Sequence, residues 1–282
     1  MQWIELLNKS IKYIEENLTG EIDYNTLGSI AACSSYHYQR MFTYMAGVPL
    51  SEYIRRRRMS LAAVDLMETD EKIIDIALKY GYSSPTAFNR AFQSVHGIAP
   101  SKVRGGELSV KFYPAITFTI SIKGAEEMNY TISHKPPFRI VGYSMTIPKE
   151  VEESFRLVPK MWVDLAESGK IPELYAMSDS EPDGLLGACI EKGNELKYFI
   201  AVSSTKAPME DMDESIIDAY TWAVFKGNGE CPAAIQELER RIVTEWLPNS
   251  GYEYADGPDI EVYLSPDTQN AVFEVWLPVV KK

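Results

Sequence analysis

Ser35-Tyr36-His37-Tyr38-Gln39-Arg40-Met41-Phe42 is the stretch on which the fold of this chain turns. As a helix continuing to Ala46, it points Met41, Phe42 and Met45 at a core. Tyr36, Gln39 and Arg40 then share a second face within one turn. Fifty residues later Asn89-Arg90-Ala91-Phe92 repeats the polar–Arg–apolar–Phe frame of residues 39–42. A helix with outward amide and guanidinium donors, used twice, is the chemistry of reading base edges in a major groove.

The flanks support a duplicated helix-turn-helix. Asp23 suits the N-cap of a short helix ending near residue 31, and Ala32-Cys33-Ser34 forms a tight connection into the helix above. Residues 72–80 form the equivalent short helix, Gly81-Tyr82-Ser83-Ser84 the turn, and Pro85 the first position of the helix Pro85–His96. There Phe88 and Phe92 face inward, and Thr86, Asn89 and Arg90 outward. Residues 3–18 carry Trp3, Leu6, Leu7, Ile11, Ile14 and Leu18 at helical spacing. A long helix over Leu50–Glu68 is apolar on more than one side, as a linker touching both units must be. It carries Arg55-Arg56-Arg57-Arg58, a run longer than one turn, so its members cannot all face one way. One or two, Arg55 among them, are expected at phosphates and the others at Glu52 or solvent.

The net charge of −12 runs against phosphate binding. It is unevenly spread. Residues 1–106 hold 12 Lys and Arg against 11 Asp and Glu, a net of +1; residues 107–282 hold 16 against 29, a net of −13. The acidity belongs to a second part of the chain. Cys33, Cys189 and Cys231 are odd in number and far apart, with no metal spacing, so free thiols in a reducing cytoplasm are expected, with no metal and no cofactor. No apolar run reaches the roughly 20 residues of a membrane span, and no signal peptide opens the chain.

Gly105-Gly106 marks a boundary, giving an all-α domain over 1–106, a connector over 107–128 and an α+β domain over 129–282. In the connector Ile116, Phe118, Ile120 and Ile122 alternate with Thr117, Thr119 and Ser121, which predicts one strand. Beyond it an internal repeat appears: strand 138–147, helix 151–169, strands 185–191 and 196–203, then strand 216–226, helix 232–247, strands 259–264 and 270–277. The last two strands of each copy lie 74 residues apart. Two β-α-β-β units of this kind predict a curved sheet with helices on one face and a cleft between halves.

Glu261 alternates with Ile260 and Val262, and its counterpart across the repeat is Gly187, which leaves space opposite. The apolar side of this strand is expected to meet the helices, so that Glu261 faces away from them. Tyr143, Tyr220, Trp222 and Trp276 lie on neighbouring strands. A carboxylate among aromatic faces suits a lipophilic cation.

Two resemblances extend this reading. Residues 5–104 resemble the DNA-binding domain of the AraC/XylS family of bacterial transcription regulators. The match rests on residues 34–42, on Tyr53-Ile54-Arg55-Arg56-Arg57-Arg58-Met59, on residues 73–82, and on Phe88-Asn89-Arg90-Ala91-Phe92-Gln93 with Pro100. It implies DNA contacts from Tyr36, Gln39 and Arg40 in the first unit and from Pro85, Thr86, Asn89 and Arg90 in the second. The family has Gly where Ala32 stands, so a slightly different first turn is expected. Residues 129–280 resemble the GyrI-like effector-binding domain, through Phe138-Arg139-Ile140-Val141-Gly142, residues 220–227, Asp259-Ile260-Glu261-Val262-Tyr263 and residues 274–279. That resemblance implies a Glu261 at the base of a ligand pocket, with Trp222 at a matching aromatic position; Tyr263, on the Glu261 strand, is also expected to line the pocket.

The expected protein is a DNA-binding regulator with double-stranded promoter DNA, a small-molecule effector and RNA polymerase as partners, and no membrane. Two other readings stand beside it: a hydrolase of electrophilic small molecules using Glu261 with Trp222, and a protein that sequesters its ligand.

Overall fold

Helical spacing in the first hundred residues is realised as seven helices in the computed structural model, which describes residues 2–104, 109–119, 127–148, 151–192 and 195–282. They are α1 (Gln2–Glu16), α2 (Tyr24–Ile30), α3 (Ser35–Ala46), α4 (Leu50–Glu68), α5 (Ile73–Lys79), α6 (Pro85–His96) and α7 (Pro100–Val103). The chain divides into two compact units, one of Met1–Ala31 with His37–Ser121, the other of Ala32–Tyr36 with Ile122–Lys282.

Local chemistry sets the helix ends. The Asp23 carboxylate accepts from the Asn25 and Thr26 amides at 3.0 and 3.2 Å and so opens α2. A bond from the Thr26 hydroxyl, followed by these amide bonds, holds its carboxyl below the usual range. Ser84 accepts from the Ala87 amide at 3.2 Å, Pro85 opens α6, and Gly97 closes it in the left-handed region at φ +79°. Both short helices end at a left-handed residue, Ala32 at φ +57° and Gly81 at φ +83°. The first turn therefore keeps the backbone of a glycine turn although a side chain is present, while two residues rather than three separate its left-handed residue from the next helix.

Helix α4 touches both subdomains. Tyr53 meets Phe42 with ring centroids 5.4 Å apart, while Met59, Ala62, Ala63 and Leu66 join Phe88, Phe92 and Val95 in the second core. Each arginine of the run on α4 has partners within the domain. Arg55 pairs with Glu52 and donates to Ser94 at 3.0 Å; Arg56 also pairs with Glu52, at 2.6 Å. Arg57, nearly buried, forks onto Glu15, which also accepts from Tyr53 at 2.7 Å. Arg58 closes the end of α1, donating to the carbonyls of Leu18 and Gly20 at 2.9 and 2.6 Å.

The expected connector strand does not form over its described part. Residues 109–119 form no helix or strand; Gly105, Gly106, Ile120 and Ile122 lie outside the described residues. Side chains take the place of a neighbouring strand. Asn8 bonds both ways with the Phe118 backbone, at 2.9 and 3.0 Å. Ser60 accepts from the Tyr113 amide at 2.9 Å and Tyr53 from that of Ile116 at 3.2 Å. Period-two alternation was met by this strap on α1 and α4, so no sheet was needed.

The second unit is an antiparallel sheet with helices. Its elements are β1 (Tyr130–Lys135), β2 (Phe138–Ile147), α8 (Val151–Glu167), α9 (Lys170–Met177), β3 (Leu185–Lys192), β4 (Glu195–Ser203), β5 (Asp213–Ile217), β6 (Tyr220–Gly229), α10 (Ala233–Arg241) running into a π-helical turn (Ile242–Trp246), β7 (Tyr252–Tyr254), β8 (Ile260–Tyr263) and β9 (Ala271–Lys281). The order across the sheet is β1-β6-β9-β8-β3-β4-β2-β5, with β7 added on β9. The single strand expected over 216–226 is two, broken at Asp218-Ala219, and its pieces are not neighbours in the hydrogen-bonded order: β5 pairs with β2, β6 with β1 and β9. β1 and β5 are therefore exchanged edges, each repeat lending its first strand to the other half.

The sheet curls. Phe138 on β2 and Trp276 on β9 are separated by three strands, yet their rings are 6.4 Å apart. Flat strands would hold them about 19 Å apart. The inside of the curl is a core of strand residues, among them Ile140, Phe199, Trp222, Ile260, Val262 and Trp276. The other face packs on helices: Tyr143, Tyr198 and Ile200 lie with Met161, Trp162 and Leu174, and Phe225 meets Trp246 at 4.9 Å.

Candidate DNA-binding surface and effector site

On α6, Pro85, Thr86 and Arg90 are exposed, and half-buried Asn89 accepts from Gln93 at 3.2 Å. These are the outward positions predicted for the second reading helix. On α3, Arg40 is half-buried, with its guanidinium carbon 5.9 Å from the centre of the Tyr44 ring. Tyr36 and Gln39 are buried, at 6% and 3% exposure. Phe42 and Phe92 anchor the two helices through the same buried position.

The sheet places Glu261 at the meeting point of the two repeats. Gly187 pairs with Glu261 across β3 and β8, so the 74-residue offset maps this pair onto itself. A local two-fold axis passes through it. Extending the register gives one row across the sheet, Tyr143–Ile200–Gly187–Glu261–Val275–Phe225, all on the helix-covered face.

Glu261 is half-buried and accepts from the Tyr263 hydroxyl at 2.8 Å. The Tyr263 ring meets Trp162 of α8 at 5.0 Å, and the Trp162 indole donates to the Tyr198 hydroxyl at 2.9 Å. Gly187 makes this arrangement possible. A Cβ there would sit 2.5 Å from the Tyr198 hydroxyl and 3.0 Å from a Glu261 oxygen. Burial, and after it the Glu261 charge, pushes the Tyr198 and Tyr263 hydroxyls well above the usual phenol range, so both stay protonated as donors. The same causes raise the Cys231 thiol.

Further along the row, Tyr143 donates to Glu173 at 2.7 Å, and burial followed by that carboxylate pushes its hydroxyl up to about 12. The Lys170 ammonium lies 4.4 Å from the centre of the Tyr143 ring.

Three predicted ligand residues lie elsewhere. Trp222 and Trp276 belong to the core inside the curl, and Tyr220 packs on Trp222 at 5.4 Å while donating to the Asp256 carbonyl. All three occupy the face opposite Glu261. The orientation of β8 is also the reverse of that expected: Ile260 and Val262 point into the curl, and Glu261 with Tyr263 toward the helices. In a curled sheet both faces are buried, so apolar alternation does not tell which side carries helices. Trp222 and Glu261 are thus not brought together as a hydrolytic pair. Trp162 and Tyr198 escaped notice because each sits in an apolar pattern that reads as core. Among the described residues no cluster of His, Cys, Asp and Glu has the form of a metal site, and no helix is long and apolar enough to cross a membrane.

Comparison with known proteins accounts for both halves. Residues 27–106 match a helix-turn-helix domain family, and residues 131–279 match the family of integron-associated effector binding proteins. The chain is 36% identical to the Right origin-binding protein of Escherichia coli strain K12 over 272 residues, spanning 92% of this chain and 90% of that protein. It is 27% identical to the transcriptional regulator Rob of Salmonella typhimurium over 271 residues, 91% of this chain and 90% of Rob. The transcriptional activator AarP of Providencia stuartii is 38% identical over 99 residues, 35% of this chain and 73% of AarP. The chain belongs to the AraC family of helix-turn-helix transcription regulators, in the branch that carries an effector-binding domain behind its DNA-binding domain.

Proposed function

We propose that this regulator senses a small lipophilic cation and passes the signal to promoter DNA and RNA polymerase. The observation that carries the ligand class is one carboxylate, Glu261, held against Tyr263 with Trp162 and Tyr198 alongside. A half-buried carboxylate among aromatic faces attracts a soft cation by charge and ring quadrupole together. Glu261→Gln keeps the shape and removes the charge. Affinity for a cationic dye such as rhodamine 6G is expected to fall by about 2 kcal/mol, roughly thirtyfold. Titration of the full chain by fluorescence measures it; equal affinity in both proteins refutes the charge pairing.

For DNA, Arg40 and Arg90 are the guanidinium donors of the two reading helices, with Pro85, Thr86 and Asn89 beside Arg90 and Arg55 behind at the backbone. Each Arg→Ala change is expected to cost about 1–3 kcal/mol at fixed salt on a selected operator, and to relax base preference at one position. A uniform loss across all sequences would instead make that arginine a phosphate contact.

A further inference from the structure

The row that carries Glu261 ends, three strands away, in a site already holding a cation. The Lys170 ammonium, at the start of α9, lies 4.4 Å from the Tyr143 ring centre and 3.5 Å from the Asp211 carboxylate. Glu173, one turn along α9, accepts from the Tyr143 hydroxyl at 2.7 Å and so adds a second negative charge beside the same ring. An aromatic face flanked by two carboxylates is the chemistry of an ammonium site, and here the ammonium comes from the chain. The Lys170 side chain is 32% exposed and that of Asp211 76%, so the lysine head sits at the surface and can swing away. Tyr143 and Glu261 lie on the same face, in one register row, with only Ile200 and Gly187 between them. Three strand spacings separate them by about 14 Å.

We propose that the effector site has a second cation subsite, formed by Tyr143, Glu173 and Asp211 and filled by Lys170 until a ligand displaces it. The favoured ligand is an elongated dication, one charge at Glu261 and the other replacing the Lys170 ammonium over Tyr143. This rests on the reading of Glu261 as the first cation site. Lys170 then acts as a tethered competitor. Its occupancy lowers apparent affinity in proportion to the fraction of molecules in which the subsite is filled, and removing it restores that fraction.

The test uses the full chain and two probes in calorimetric titration: the decamethylene bis-trimethylammonium dication, and decyl-trimethylammonium, the same chain with one charge. Lys170→Met is expected to tighten the dication about tenfold and to leave the monocation within about twofold, while Lys170→Arg behaves as the unaltered protein. Glu173→Gln combined with Asp211→Asn is expected to abolish the preference for the dication. If Lys170→Met tightens both probes equally, the lysine acts through net charge alone and the subsite is refuted; no change with either probe refutes it too. Glu261→Gln separates the two levels of the reading. It should weaken both probes, and if it weakens neither while Lys170→Met still tightens the dication, the Glu261 site fails and the Tyr143 subsite stands.

Discussion

Each half of this molecule is built from two copies of one motif, and the copies are put to opposite uses. In the helical domain the copies stay alike: α2–α3 and α5–α6 repeat a left-handed turn and a buried Phe, and the outcome is two reading helices. In the sheet domain the copies meet on an axis and differ where they meet. The register makes Gly187 the counterpart of Glu261, Cys189 that of Tyr263, Phe273 that of Tyr198 and Phe225 that of Tyr143. Each polar member of the site has a partner without a hydroxyl or carboxylate. Likeness multiplies one function, whereas difference at an axis gives a single site with two unlike sides.

If the helical copies are equivalent, the largest effects should come in matched pairs. Phe42 and Phe92 are both fully buried, one in each subdomain. Phe42→Ala and Phe92→Ala are each expected to cost about 3–5 kcal/mol, from lost burial and the cavity left behind. Urea unfolding followed by the helical far-ultraviolet signal measures both. A loss confined to one of the two would show that a single copy carries the stability of the domain.

In the sheet domain the matched pair should fail to match. Gly187→Ala drives a methyl group against the Tyr198 hydroxyl and toward Glu261, and both are held by partners. A stability loss of about 1–3 kcal/mol is expected, with weaker dye binding. Phe273→Tyr and Cys189→Tyr place hydroxyls at the counterpart positions, where Gly187 stands in place of Glu261, and they should not improve binding. Improved dye affinity in either variant would mean that the asymmetry of the axis is not what makes the site.

These contrasts explain what the sequence disclosed. The helical domain was legible almost to the residue, because Asp23, Ser84, Pro85 and Gly97 act on the amides next to them and Phe42 and Phe92 on neighbouring turns. Glu261 and its vacancy at Gly187 were legible too, because an internal repeat can be counted. Which face Glu261 looks toward was not. That depends on strands β2 and β9 meeting across the curl, and a contact between residues 138 and 276 leaves no mark on local periodicity. The same blindness hid the exchange of β1 and β5 and assigned Trp222 and Trp276 to the ligand.

The smallest predicted effect tests the likeness of the helical copies most sharply, because it takes opposite signs in the two turns. Ala32 holds φ +57°, a region that costs a side chain about 1–2 kcal/mol, so Ala32→Gly relieves strain. Glycine also frees the unfolded chain, which offsets part of the gain. A net stabilisation of about 0.5–1 kcal/mol is expected. Gly81→Ala creates the same strain at φ +83° and adds a contact 3.0 Å from an Arg58 nitrogen, in a guanidinium pinned by the Leu18 and Gly20 carbonyls. It should destabilise by about 1–2 kcal/mol. Thermal midpoints of the two variants should move in opposite directions. A shift of the same sign in both would mean that the turns, alike in backbone, are held by different forces, and that the first has adapted to its alanine through contacts the second lacks.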